Sequence, residues 1–147
     1  MTVIELVSFG YLHGQSPAAT ITLDLRRHFR DPHVQRGLRC LSARDAPVRA
    51  AVMSTPGIKQ LVAGTVLHAE ACLASPGGGS VPVTIAAGCA GGRHRAATVA
   101  LALSAVFRGD LTTAAELGVG DLAVPYRKRG LVVTLTHRDI DKPVVER

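Results

Sequence analysis

"VPVTIAAGCAGGRHRAATVALAL", residues 81–103, joins three local patterns in one run. Val81–Ala87 is apolar almost throughout, which is typical of a buried strand in a parallel sheet. Three glycines then surround Cys89, and a basic triplet follows them. From about Ala96 to Arg108 the residues favour a helix, which Gly109 ends. A strand, a glycine loop and a helix in this order are typical of an α/β protein.

The flanking sequence extends this pattern in both directions. Apolar runs and helical spacing predict further strands at Val3–Val7, Thr20–Leu25 and Leu131–Thr136, and further helices near Val48–Met53 and from Pro56 to Leu73. Residues 112–130 are ambiguous, with a short helix and then a basic loop as one interpretation. The order predicts one α/β domain over residues 1–147, a sandwich with a mostly parallel central sheet flanked by helices.

Composition favours a folded protein with anionic partners. The chain has 147 residues, 47% of them apolar and 19% charged, which suits one globular domain. Lys and Arg number 17 against 11 Asp and Glu, giving a net charge of +6. Because most of the cations are arginines, whose guanidinium matches phosphate with paired hydrogen bonds, we expect an anionic ligand.

Several other classes of protein are not expected. No signal peptide is recognised, the longest apolar run is too short to span a bilayer, and the three cysteines are widely spaced. These features predict a cytoplasmic protein without a membrane partner. None of the six histidines occurs at a zinc-ligand spacing, so no metal and no cofactor is predicted.

The glycine loop predicts an anion site. The start of a helix exposes unpaired N–H groups and carries the positive end of the helix dipole. Glycines allow the backbone to approach a ligand closely, and Arg93 or Arg95 adds charged donors. No P-loop sequence is present, and "GVGDLA" at residues 118–123 does not follow a strand. A phosphate cradle without a dinucleotide or P-loop motif is therefore predicted.

An enzymatic alternative starts from the same loop. Cys89 and Arg95 have the spacing of cysteine-dependent phosphatases, in which a thiolate attacks phosphorus and an arginine holds the phosphoryl oxygens. Gly88 stands where such enzymes usually have His, and the general acid would have to be Asp24 or Asp31. A buried structural cysteine is the other interpretation of Cys89.

Four motifs together resemble the carboxy-terminal domain of the RapZ family of ribonuclease adaptors. They are "SFGYLHG" (8–14), "LDLRRHFRDPH" (23–33), "GCAGGRHRAATVALAL" (88–103) and "HRDIDK" (137–142). Full-length members carry an amino-terminal P-loop ATPase domain, so the resemblance implies a stand-alone sensor domain here. It also implies binding of glucosamine-6-phosphate, binding of small regulatory RNA and its presentation to ribonuclease E, and assembly into homo-oligomers. A binding domain is thus favoured over an enzyme.

The resemblance also implies which residues bind these partners. The family's Cys-Thr-Gly-Gly-x-His-Arg loop falls on residues 89–95, where Ala90 replaces the usual Thr. The ligand site would comprise His13, Asp24, Arg26, His33, Gly91, Gly92, Arg93, His94 and Arg95. The RNA surface would comprise Arg127, Lys128, Arg129, His137 and Arg138. The tail "PVVER" lacks the further lysines usual in the family, which would reduce the number of phosphate contacts.

Overall fold

Four parallel strands form the sheet of the computed structural model, which describes residues 2–32 and 35–145. The strands are β1 (Val3–Gly10), β2 (Ile21–Asp24), β3 (Val83–Cys89) and β4 (Val132–His137). Their order across the sheet is β2-β3-β1-β4. The predicted α/β class is confirmed, and the sheet is parallel throughout.

Five helices accompany the sheet: α1 (Ala46–Met53), α2 (Ile58–Ala74), α3 (Arg95–Arg108), α4 (Leu111–Glu116) and α5 (Gly120–Ala123). Within residues 2–32 and 35–145, 3-10 turns also occur at Tyr11–His13 and Val124–Tyr126. The ambiguous residues 112–130 thus form most of α4, all of α5, a 3-10 turn and the basic loop after it. Within the described ranges, none of these helices has both the length and the apolarity that crossing a bilayer requires.

The helices cover one face of the sheet. Ile4, Leu6 and Ile85 point to this face and are almost fully buried, and α3 packs directly on β1, β3 and β4. The opposite face is largely open to water, with exposed side chains at Glu5, Thr22, Asp24, Thr134 and Thr136. A layer of helices on one side only is unusual for a parallel sheet, which is commonly covered on both.

β3 is nevertheless buried on both faces, as its apolar sequence predicts. On the face without helices its residues are small, and Phe9 and Tyr11 cover Gly88: a Cβ at Gly88 would lie 2.4 Å from Phe9 Cζ. The two rings are themselves packed edge to face at 4.8 Å. Aromatic side chains from the β1 end therefore take the place of a second helical layer there.

A short connection without a helix links β1 to β2. This short connection is long enough because β2 begins partway along the sheet, with Ile21 opposite Ile85. After β1 the chain therefore runs back along only part of the length of that strand before β2 begins. Beyond β2 the N–H of Leu25 continues the ladder by donating to Gly88 O at 2.8 Å. The loops after β1, β2, β3 and β4 thereby meet at the carboxyl edge of the sheet, where α/β proteins commonly bind ligands.

Candidate functional site

Two glycines bring the glycine loop against the end of β1. A Cβ at Gly10 would lie 2.4 Å from the carbonyl carbon of Gly91, and one at Gly92 would lie 2.7 Å from Gly10 N. Gly92 also has a φ of +77°, which side-chain-bearing residues rarely adopt. Only glycine fits this backbone contact, so the loop after β3 is fixed directly to the strand beside it.

The Cys89 thiol lies beneath the loop and the start of α3. Its sulfur accepts the N–H groups of Gly92 at 3.3 Å and Ala96 at 3.4 Å, and the residue is 2% exposed. The thiol therefore satisfies two backbone donors that the loop and the helix start would otherwise leave unpaired. These contacts bury the sulfur almost completely.

The Arg95 guanidinium is buried in the same place, at 3% exposure. Its Nη1 donates to the carbonyls of Leu25 at 2.8 Å, Phe29 at 3.1 Å and Arg26 at 3.3 Å. Its Nη2 lies 3.1 Å from Asp31 Oδ2. Among the described residues no acceptor is found for its Nε. Arg95 thus holds the segment after β2 and keeps one buried donor without a partner.

Arg93 connects two distant segments of the chain. Its two terminal nitrogens donate to four backbone carbonyls, those of Cys40, Leu41, Ile140 and Lys142, at 2.9 to 3.3 Å. The Nε2 of the neighbouring His94 also donates to Leu41 O, at 2.8 Å. The terminal donors of Arg93 are therefore directed at the protein backbone, and these two side chains form the wall of the site.

Two adjoining depressions lie in front of the loop and share Leu12, Ala90 and Arg95. The outer pocket, of about 170 Å³, is lined by Tyr11, Leu12, Arg26, Ala90 and Arg95. The loop pocket, of about 30 Å³, is lined by Leu12, Asp31, residues 89–91 and 93–95, Val144 and Val145. Of the predicted ligand residues, the structure brings Arg26, Gly91, Arg93, His94 and Arg95 to these two pockets.

Arg26, Asp24 and Tyr11 form a stack beside the outer pocket. Arg26 donates to Asp24 from Nη2 at 2.7 Å and from Nε at 2.9 Å, and its guanidinium carbon lies 3.6 Å from the centre of the Tyr11 ring. Hydrogen bonding from Arg26 lowers the pKa of Asp24 to about 2. Burial, with a smaller effect of the Asp24 charge, raises the pKa of Tyr11.

Sequence reasoning missed five pocket residues as ligand candidates, Tyr11, Leu12, Ala90, Val144 and Val145, and it considered Asp31 and Cys89 only for the phosphatase alternative. Tyr11 and Leu12 lie within the "SFGYLHG" motif next to His13, so the motif itself carried the signal. His13 lies in the 3-10 turn after β1 and lines neither pocket, and its buried Nε2 has no partner among residues 2–32 and 35–145. His33 lies outside the described residues.

A buried carboxylate, Asp139, ties the end of β4 to the end of β1. Its Oδ2 accepts the Gly10 N–H at 2.7 Å and the Arg138 Nε at 3.0 Å, and Lys142 Nζ lies 2.6 Å from its Oδ1. Burial alone would raise its pKa, but these donors outweigh it and hold the pKa of Asp139 at about 2. Arg138 also donates to the carbonyls of Gly10 and Gln15. Its guanidinium is therefore largely engaged within the protein.

The predicted RNA residues fall into two groups at opposite ends of β4. Arg127, Lys128 and Arg129 precede the strand, and Arg129 pairs with Glu70 at 3.0 Å. His137 and Arg138 lie at its carboxyl end, where Ser8 Oγ lies 2.7 Å from His137 Nδ1. Burial, reinforced by the Arg44 charge, lowers the pKa of His137. The five residues therefore do not form one continuous patch.

The described part of the chain contains no cluster of three His, Cys, Asp or Glu side chains that could hold a metal ion. The donors that converge at the loop are instead N–H groups and guanidinium groups, which are ligands for anions.

Comparison with known proteins agrees with this architecture. The profile of the RapZ C-terminal domain matches residues 2–117. A nucleotide-binding protein of Sorangium cellulosum is 31% identical over 137 residues, which are 92% of this chain and 33% of that protein. Similar proteins, also named nucleotide-binding proteins, occur in Limosilactobacillus reuteri (32% over 142 residues, 95% and 41% of the two chains) and Thermus thermophilus (36% over 110 residues, 73% and 39%).

The chain therefore spans between a third and about two fifths of the length of these relatives. The matched profile covers β1 to α4 and includes the whole glycine loop. From this match, and from the loop geometry that it encloses, we conclude that the chain belongs to the RapZ C-terminal domain family.

Proposed function

We propose that this domain binds a phosphorylated small metabolite at the carboxyl edge of its sheet. The observation that carries the proposal is Arg95, a cation at 3% exposure that lines both pockets at the start of the 14-residue helix α3 and keeps an unpartnered Nε. A buried cation near unpaired helix N–H groups favours an anion beside it.

The loop pocket is the proposed position of the phosphate. Among the described residues no acceptor is found for the backbone N–H groups of Gly91 and Arg93, which flank this pocket. The charge of Asp31, which also lines it, is offset by Arg95 at 3.1 Å. A dianion would therefore gain backbone donors and meet a net positive wall.

The outer pocket is the proposed position of the rest of the metabolite. Tyr11 and Arg26 line this pocket, and Arg26, held by Asp24 and stacked on the Tyr11 ring, presents its charge to a polar group bound there. An amino-sugar phosphate such as glucosamine-6-phosphate carries both a phosphate for the donors of the loop and a polar body for the outer pocket. Ala90 lacks the hydroxyl of the family's usual Thr, so we expect one hydrogen bond fewer to the phosphate.

Binding without turnover is favoured over the phosphatase alternative. The Cys89 sulfur is buried and accepts two backbone N–H groups, and Asp31, one candidate for the general acid of the phosphatase, is paired with Arg95 at 3.1 Å. Arg95 directs its terminal nitrogens at three carbonyls and at Asp31. Both halves of the phosphatase motif thus have structural partners.

A substitution at Gly91 tests the site without disturbing the fold. A Cβ at Gly91 would meet no atom within 4 Å, and Gly91 is not in the positive-φ region, so we expect Gly91→Val to fold and to place its side chain at the loop pocket, which Gly91 lines. We expect Gly91→Val to lower the affinity for glucosamine-6-phosphate and inorganic phosphate roughly tenfold or more in calorimetric titrations. Its melting temperature without ligand should stay close to that of the native chain.

Gly79→Val is the matched control, because Gly79 also has open space around its Cβ position and lies in the exposed loop after α2. It should bind both compounds as the native protein does. Equal affinities for the native chain and Gly91→Val would contradict the proposed site. Hydrolysis of an aryl phosphate that disappears in Cys89→Ser would establish the enzymatic alternative instead.

RNA binding at the basic loop is a second proposal. The side chains of Arg127 and Lys128 are exposed and make no hydrogen bond or ion pair with the described residues, whereas Arg129 is paired with Glu70. Free cations on a protein of net charge +6 suit phosphate groups of RNA. Presentation of such an RNA to a ribonuclease would follow from the family resemblance.

A further inference from the structure

The chain after β4 first forms a firmly held anchor, residues 139–142. Ile140 is 2% exposed and packs with Ala43 and Ala97 in a small second core. The carbonyls of Ile140 and Lys142 both accept hydrogen bonds from Arg93 Nη1, at 3.1 and 3.2 Å. Asp139 adds its contacts to Gly10 and Lys142. These contacts fix where the following residues begin.

A strap, Pro143–Val145, follows the anchor and lies across the loop pocket. Val144 and Val145 are half-buried and line the pocket opposite Leu12 and the glycine loop. The strap makes no hydrogen bond to the described residues, in contrast to the anchor. Two apolar side chains therefore line a pocket whose other walls include backbone amides, two arginines and the Asp31 carboxylate, besides Leu12, Cys89 and Ala90.

With the strap in this position the loop pocket is too small for its proposed ligand. Its volume of about 30 Å³ has room for one or two water molecules. A phosphoryl group carries four oxygens and needs more space than this. The outer pocket, at about 170 Å³, contains neither valine in its wall and stays open.

We propose that the strap is an autoinhibitory element that must leave the loop pocket before a phosphate can enter. The inference rests on the proposed function, because it concerns regulation of the same site. Displacement requires only the loss of apolar contacts by Val144 and Val145, while the hydrogen-bonded anchor stays in place. Because the strap and the ligand compete for the pocket, the apparent affinity equals the intrinsic affinity multiplied by the fraction of molecules in which the strap is displaced.

The test replaces both strap valines by serine in the full chain, as Val144→Ser with Val145→Ser. Serine weakens the apolar contacts without adding bulk to the pocket. We expect calorimetric titration with inorganic phosphate to show roughly tenfold tighter binding than in the native chain, which corresponds to about 1.4 kcal/mol. Val124→Ser is the matched control, since Val124 is 52% exposed and lies in the 3-10 turn before the basic loop. It should leave phosphate binding unchanged.

The remaining outcomes separate the strap from the site. If the native chain binds phosphate and the double variant binds it equally well or more weakly, the proposed role of the strap is wrong, whereas the proposed function is unaffected. Failure of both proteins to bind phosphate would overturn the anion site and the strap together. Hydrogen exchange gives a second measurement: saturating phosphate should slow exchange at Gly91 and leave exchange at Val144 and Val145 unprotected. Slower exchange at the valines would show that they close over the ligand instead.

Discussion

At the scale of single residues, the charged groups near the site mostly hold the protein together. Arg93 and Arg95 direct their terminal donors at backbone carbonyls, and Asp139 binds the Gly10 N–H. Sequence patterns predicted the position of these arginines beside a glycine loop. They could not predict their partners, because Cys40, Leu41 and Ile140 are about fifty residues away along the chain and meet Arg93 only after folding.

The low pKa of Asp139 predicts how stability depends on pH. Its pKa is about 2 in the folded protein and about 3.9 in an unfolded chain, so it stabilises the fold above pH 4 and this contribution is lost as the pH falls towards 2. We expect the free energy of unfolding to drop by about 2 kcal/mol from this group across that range. Urea titrations at a series of pH values measure it.

Asp139→Asn should flatten that part of the pH profile and lower stability at neutral pH, because Arg138 and Lys142 lose their charged partner. Asp121→Asn, at an exposed position in α5, is the control and should keep the native slope. An unchanged slope in Asp139→Asn would show that other carboxylates cause the acid sensitivity.

At the scale of elements, β4 separates two sets of basic residues that the sequence suggested as one surface. A six-residue strand spans about 20 Å, with Arg127 and Lys128 before it and His137 and Arg138 after it. Elements with strong local patterns were predictable: β3, the glycine loop and α3 follow the predicted order closely. The separation also follows from the predicted strand Leu131–Thr136, which lies between the two basic groups, whereas the family resemblance had grouped the five residues as one surface.

The exposed cations before β4 predict a salt-dependent contribution to RNA binding. Replacing one phosphate-contacting lysine by glutamate should weaken binding to all sequences and reduce the slope of log affinity against log salt by about one. We therefore expect this change for Lys128→Glu in gel-shift titrations at several salt concentrations. Lys59→Glu, the same substitution at an exposed position of α2, should have a much smaller effect. Equal effects of the two variants would indicate a response to net charge alone.

At the scale of the whole molecule, the two proposed sites lie at opposite edges of one sheet. The metabolite site occupies the carboxyl edge, and the RNA residues Arg127 and Lys128 lie at the amino edge. The sequence predicted one domain and one sheet, with a ligand site and an RNA surface formed by different residues. Because the strands are parallel, the loops after β1 and β3 lie at the opposite edge from the loop before β4.

This separation predicts that the two ligands bind independently. Saturating glucosamine-6-phosphate should change the Kd for RNA less than twofold when ionic strength is held constant with chloride. By thermodynamic reciprocity, RNA should leave the metabolite affinity equally unaffected. Fluorescence anisotropy of a labelled RNA measures the first effect and calorimetry the second. A larger, reciprocal change would demonstrate coupling across the sheet.

The open face of the sheet shows how parallel strands can remain exposed to water. Thr22, Thr134 and Thr136 are β-branched, so they favour extended backbone, while their hydroxyl groups can bond water. A parallel sheet whose exposed face binds water therefore needs no second layer of helices. Each crossover connection in such a layer would add a dozen or so residues to the chain. Replacing these threonines by valine would preserve the strands but create an exposed apolar surface. The protein would then self-associate.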